Sequence, residues 1–228
     1  MSTKNPMHPE EITPEWLTFA LKESGVIEKA SVIDVKRTII GGGKGFKSSV
    51  VRVGVKYDQA ESDAPTSVVA KIEPEDESVQ AINKKFSSFE REISFYKQVA
   101  PSAPIRLPVL YYAVEEPPAY SMLMEDLSSL TPGDQTVGMH ESQVMATVET
   151  MGKLQAKYWN NNLLEELSWM PTLEDLFMQY DESNFIENCI SFLEHFGFVI
   201  GLKAIMIGYK LKDNINWLKD EILSRKKT

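Results

Sequence analysis

Cysteine and histidine are scarce in this chain. Only one of its 228 residues is cysteine, Cys189, and three are histidine: His8, His140 and His195. A lone cysteine excludes an intrachain disulfide and suits a reducing compartment. The scattered histidines offer no zinc-ligand spacing. Positive charge is also in deficit: 24 Lys and Arg stand against 33 Asp and Glu, a net charge of -9. That balance argues against a nucleic-acid partner, which calls for a basic surface. Internal repeats and low-complexity runs are missing too. Met1 to Glu11 is polar, holds two prolines and lacks the apolar core of a signal peptide. The longest apolar stretch, Phe196 to Tyr209, is interrupted by Lys203 and falls short of a bilayer span. A buried helix or helix pair is expected there. No membrane partner is expected, and the protein is expected to be cytoplasmic.

What is present fits a soluble globular protein, with 43% apolar and 25% charged residues. The length suits one large domain or two small lobes. A first helix is signalled by Thr13 as cap, Pro14 in the first turn and Gly25 after the last. Ser31 to Ile40 is β-rich. Ser49 to Tyr57 alternates, with Val51, Val53, Val55 and Tyr57 on one face. Ser67 to Ile72 reads as a third strand. Ile82, Phe86, Phe89, Ile93 and Tyr96 form one apolar helical stripe. Leu110 to Val114 and Tyr120 to Met124 read as two further strands, joined by a turn at residues 115–118. Val144, Val148, Met151, Leu154 and Tyr158 mark a long amphipathic helix, and the remainder is helical in pattern. The expected division is a segment 1–30 with one helix, a sheet lobe 31–126 and a helical part 127–228.

Four features carry chemistry. The first is Gly41-Gly42-Gly43-Lys44-Gly45-Phe46-Lys47-Ser48-Ser49, a glycine-rich stretch between two strands. A Rossmann phosphate turn needs a following helix, and a Walker loop needs Gly-Lys-Ser/Thr; neither is here. Strand–loop–strand is how kinases cover ATP phosphates, although a plain flexible hairpin turn would look the same. The second is Lys71, which ends the strand Val68-Val69-Ala70-Lys71. It is either a strand-end lysine reaching solvent or the lysine that holds the α- and β-phosphates. The third is a glutamate to fix that lysine. Glu90 and Glu92 flank the apolar stripe on opposite sides, and periodicity does not choose between them. The fourth is Met122-Leu123-Met124-Glu125-Asp126-Leu127, a strand running into two acids. It reads either as an ordinary strand end or as a hinge whose backbone faces adenine.

These pieces occur in order, and their wording resembles the aminoglycoside-phosphotransferase and choline-kinase-like superfamily, in particular its ecdysteroid kinase-like group. The matching text includes Phe89-Glu90-Arg91-Glu92-Ile93-Ser94-Phe95-Tyr96, the Glu125-Asp126-Leu127 piece, and Met151 to Trp159, where Gln155 stands in place of a common histidine. The resemblance covers roughly residues 10 to 165. It implies an α+β, protein-kinase-like fold: a five-stranded antiparallel N-lobe sheet with one packed helix, then an incomplete helical C-lobe. It implies ATP, with Mg in a complete family member, and a small-molecule hydroxyl as acceptor in full-length relatives. The ATP-side residues it implies are Gly42, Gly43, Lys44, Gly45, Ser48, Lys71, Glu92, Met124, Glu125 and Leu127, with Glu92 as the partner of Lys71.

The same resemblance exposes a gap. The group's catalytic loop carries His-Gly-Asp with an Asn five residues after the Asp. Here no histidine is followed by Asp within two residues, and no Asp has Asn five positions on. Asp213-Asn214-Ile215-Asn216 has the residue types without the spacing and reads as a polar helix start. No catalytic or metal-binding residue is therefore assigned. The expectation is a chain that stops before its catalytic loop and is catalytically incomplete. The alternative is a non-catalytic, pseudokinase-like nucleotide- or partner-binding module, with a protein partner over the incomplete lobe.

Overall fold

In the computed structural model, the described residues are 5–40, 48–115, 120–131, 133–134, 137–172, 175 and 182–224. The chain falls into two compact units, Met1–Leu163 and Leu164–Thr228.

The first unit is built on five strands: β1 (Val32–Ile40), β2 (Ser49–Tyr57), β3 (Ser67–Ile72), β4 (Leu110–Val114) and β5 (Ser121–Glu125). They form one sheet in the order β1-β2-β3-β5-β4, and every neighbouring pair is antiparallel. The expected α+β fold with a five-stranded antiparallel sheet is thus found. Alternation decides the faces. Val51, Val53 and Val55 of β2, Val68 and Ala70 of β3 and Leu123 of β5 all lie in one buried cluster. Helix α1 (Pro14–Glu23) closes that cluster with Trp16, Leu17, Ala20 and Leu21. Thr13 caps it as the sequence predicts, its hydroxyl accepting from the Trp16 amide at 3.2 Å. Arg37 of β1 donates to the Ile12 carbonyl at 2.7 and 2.9 Å, which ties the approach of α1 to the sheet.

The opposite, inner face carries the alternate residues. The register sets Val50 against Lys71, Arg52 against Val69, Val69 against Met124 and Lys71 against Met122. Only part of this face is covered. Ile93 of α3 (Ser88–Ser94) packs on Met122 and Met124, with Tyr96, Leu110 and Ala113 around it. Val50, Arg52, Val69 and Lys71 remain half-buried.

The single apolar stripe expected from Ile82 to Tyr96 needs a correction. Two helices stand there, α2 (Glu77–Phe86) and α3, separated at Ser87, whose backbone is left-handed (φ 46°, ψ 46°). The stripe is real from Phe89 onward, but Ile82 is exposed and Asn83 is buried in its stead. The break at Ser87 lets α2 turn a different face inward, so one period cannot describe both. Asp76 caps α2, its carboxylate accepting from the Ser78 and Val79 amides at 2.9 and 3.2 Å.

Helix α4 (Glu141–Tyr158) forms where predicted, but Val144, Val148 and Met151 of its stripe are exposed. A short α5 (Leu163–Glu166) follows at the division between the units. The second unit holds α6 (Glu182–Asp213) and α7 (Ile215–Ser224). The bilayer reading of this region also changes. Within α6 the 29 residues Phe185–Asp213 are long and apolar enough to cross a membrane by length and composition. They do not form one straight rod. Gly201 is non-helical (φ 79°, ψ 159°), and Leu193 touches Gly208. In a continuous helix those two residues would stand about 22 Å apart. The two arms therefore fold back on each other, as the expected helix pair does, and large apolar side chains such as Phe198, Leu202 and Ile207 are exposed.

Candidate functional site

Two of the predicted residues, Lys71 and Glu92, meet on the half-buried inner strip of the sheet. Lys71 comes from β3, a strand whose neighbours Ala70 and Ile72 are buried in the other direction. Alternation alone therefore turns its ammonium to the inner face. There Lys71 Nζ donates to Glu92 Oε2 of α3. The ammonium also lies 5.9 Å from the centre of the Phe89 ring, within reach of a cation–π contact. Both charged side chains keep partial access to solvent, 23% for Lys71 and 34% for Glu92, so the pair can be approached by a ligand.

Glu90 is occupied elsewhere. The Tyr120 hydroxyl donates to Glu90 Oε1 at 2.7 Å, and the Tyr120 and Phe89 rings stack with centroids 5.9 Å apart. Burial, reinforced by the Glu90 carboxylate, pushes the Tyr120 phenol up to about 12. Next to it Glu73 is held above the usual carboxylate range by burial and then by the charge of Glu90.

At the far end of β5 the hinge residues take distinct roles. Met124 is buried against Ile93 and Met122. The Glu125 carboxylate accepts from Arg106 Nη2 at 2.6 Å and from the Val109 amide at 3.1 Å. Its backbone amide in turn donates to the Val109 carbonyl at 2.9 Å. The Arg106 hydrogen bond holds Glu125 below the usual carboxylate range, against a smaller cost of burial. Its side chain and its amide thus both fasten the segment leading into β4. The Leu127 carbonyl accepts from the Leu130 amide at 2.8 Å; its own amide donates to no partner among the described residues. Ser48 is half-buried at the entry to β2. Gly42, Gly43, Lys44 and Gly45 lie outside the described residues. The strands flanking them do pair, with Ile40 opposite Val50.

Three contributors escaped sequence reasoning. Asp126 accepts from the Ser67 hydroxyl at 2.6 Å and stands 3.1 Å from Arg52 Nε, an ion pair without hydrogen-bond alignment. This ties the hinge to β2 and β3. Desolvation raises the Asp126 carboxyl, but Ser67, Ser128 and Arg52 together bring it below its usual value. Arg106 and Tyr120 are the other two. Their partners lie 19 and 30 residues away, so no local pattern marks them. Only Asp126 had a signal, its place inside the Glu-Asp-Leu piece.

A strand lysine paired to a helix glutamate on the inner face of an antiparallel sheet is a kinase arrangement. The family comparison agrees: the model for the ecdysteroid kinase-like family matches residues 42–196, more than half of the chain. The chain belongs to the ecdysteroid kinase-like family. Neither curated proteins nor solved structures give a match. Membership points to kinase-like phosphotransfer to small molecules in relatives, a reaction that generally uses ATP and Mg.

The residues here fit the two components unequally. Lys71 with Glu92 can offer a cation to phosphate, and Val50, opposite Lys71, and Val69 lie on the same half-buried face. No residue is assigned to Mg. Among the described residues no three carboxylate, imidazole or thiolate groups come together to hold a metal. Asp213, the nearest sequence candidate, is paired with Lys212 at 2.7 Å. No step is therefore derived through the metal.

Proposed function

We propose that this chain carries the nucleotide-binding side of an ATP-dependent small-molecule kinase of the ecdysteroid kinase-like family. Lys71 engages the α- and β-phosphates, and Glu92 holds the ammonium in place. Val50 and Val69 cover the adenine, and the Leu127 amide, with the Glu125 carbonyl beside it, reads its edge. Gly42, Gly43, Lys44, Gly45 and Ser48 close over the phosphates. The acceptor in relatives is a hydroxyl of a small organic molecule. A cytoplasmic setting, where ATP is at hand, accompanies this reading.

The observation that carries it is the Lys71–Glu92 pair on the half-buried strip of the sheet. An ion pair this accessible adds little to stability, so its value lies in presenting a fixed cation. Thermal denaturation with and without ATP tests the reading. ATP should raise the melting temperature of the wild type and not that of Lys71→Ala. A wild type indifferent to millimolar ATP would refute a nucleotide site.

A second reading, a non-catalytic nucleotide- or partner-binding module, is favoured by one observation: no Asp in the sequence has Asn five positions on. Phosphoryl transfer depends on a positioned base and on neutralised charge. On this reading the chain binds ATP without turning it over. Magnesium-dependent ATP hydrolysis or transfer by this polypeptide would rule it out.

A further inference from the structure

Two glutamates on one short helix compete for one lysine. Glu90 and Glu92 point about 200° apart around α3, so a rotation of the helix exchanges which of them faces the sheet. A full exchange would pull buried Phe89 and Ile93 out of their contacts, so only a smaller turn of the helix is at issue. The left-handed residue Ser87 uncouples α3 from α2, and a π-helical turn, Phe95–Val99, follows it.

Tyr120 adds a second constraint at the first turn. Its hydroxyl holds Glu90 at 2.7 Å, and its ring stacks on Phe89, whose own ring lies under the Lys71 ammonium. Its backbone is anchored in turn, the Tyr120 carbonyl accepting from the Glu73 amide at 3.3 Å at the end of β3. The first turn of α3 is thereby gripped on one side by Tyr120 and on the other by Lys71. The phenol stays protonated through the neutral range, so the donor is always present.

We infer that Tyr120 is a positioning residue that steadies the first turn of α3, already seated by Ile93, so that Glu92 stays against Lys71. The inference rests on reading the Lys71–Glu92 pair as the phosphate-side pair of a kinase site. Tyr120 would then act on the phosphate-binding lysine through Phe89 and Glu90.

The test is run on the full chain without nucleotide, so it stays readable whatever ATP does. The rate at which dilute acetic anhydride acylates Lys71 is followed by mass spectrometry in four proteins: wild type, Glu92→Gln, Tyr120→Phe and the double variant. Phenylalanine keeps the stacked ring and removes only the hydroxyl. In the wild-type background Glu92→Gln should speed Lys71 acylation by up to about fivefold, as suits a partly exposed pair. In the Tyr120→Phe background that acceleration should shrink to less than half, because a first turn no longer held by the phenol presents Glu92 to Lys71 less closely. A Tyr120 that merely supports the fold would leave the Glu92 effect at full size, and that result overturns the inference. So does a Glu92→Gln change that leaves wild-type Lys71 unaffected. Indifference of the wild type to ATP would instead strike the nucleotide reading and leave this cycle standing.

Discussion

Replacing Ile93 with alanine is expected to destabilise the sheet unit strongly and to loosen the helix that carries Glu92. Ile93 is fully buried, packed on Met122 and Met124, and is the residue directly after Glu92. The substitution removes three buried carbons, worth about 2.4 kcal/mol at about 0.8 kcal/mol each. The cavity left against the two methionines adds to this and brings the loss to about 3–4 kcal/mol. Ile93→Val removes one carbon and should cost about 1 kcal/mol. The assay is urea denaturation followed by the fluorescence of Trp16, buried in the same unit, with Trp159, Trp169 and Trp217 replaced by phenylalanine. With a slope of about 2 kcal/mol per molar urea, the alanine midpoint should fall by about 1.5–2 M. A loss below about 1 kcal/mol, or one equal to that of Ile93→Val, would show that α3 is not seated by this contact.

Lowering the pH tests the hinge clamp. Arg106 holds the native Glu125 carboxyl below its usual value of 4.5, so the clamp contributes fully above about pH 4.5 and is lost as pH falls through the lower native value. Glu125→Gln should therefore reduce stability at neutral pH and close the gap with wild type in acid; a constant gap would refute the linkage. Asp76→Ala removes the cap of α2 and should cost about 1 kcal/mol by denaturation, since the Ser78 and Val79 amides lose their acceptor. Gly201→Ala forces a side chain into a backbone region open essentially to glycine alone (φ 79°, ψ 159°). It should cost about 1–3 kcal/mol, and unchanged melting would show that the turn between the arms of α6 is not strained by a Cβ.

Much of the sheet unit was legible because its signals are local. The alternating valines of β2 marked both the strand and its buried face, and Thr13 with Pro14 marked the start of α1. Lys71 was legible for the same reason: an odd residue on a strand whose even neighbours are apolar must turn to the other face. The helix before β4 was misjudged because a left-handed serine breaks the period without a glycine or proline to announce it. The stripe of α4 was read correctly as a helix, but amphipathicity does not say what covers a face, and this one is exposed.

The sequence by itself determined strand content, the faces of β2 and β3, and the order of kinase-like pieces, because each depends on residues within one or two periods of one another. Periodicity left open which glutamate meets Lys71; the resemblance implied Glu92, and the tertiary structure brings Glu92 to it. Glu90 and Glu92 are equivalent on a helical projection; the seating of α3 by Ile93 on β5 puts Glu92 beside Lys71 and Glu90 beside Tyr120, 30 residues away in sequence. Tertiary structure alone decided that Glu125 fastens Arg106 and that Asp126 fastens Arg52. Such pairs come from chain segments brought together by the sheet order β1-β2-β3-β5-β4, a long-range property that no local period encodes.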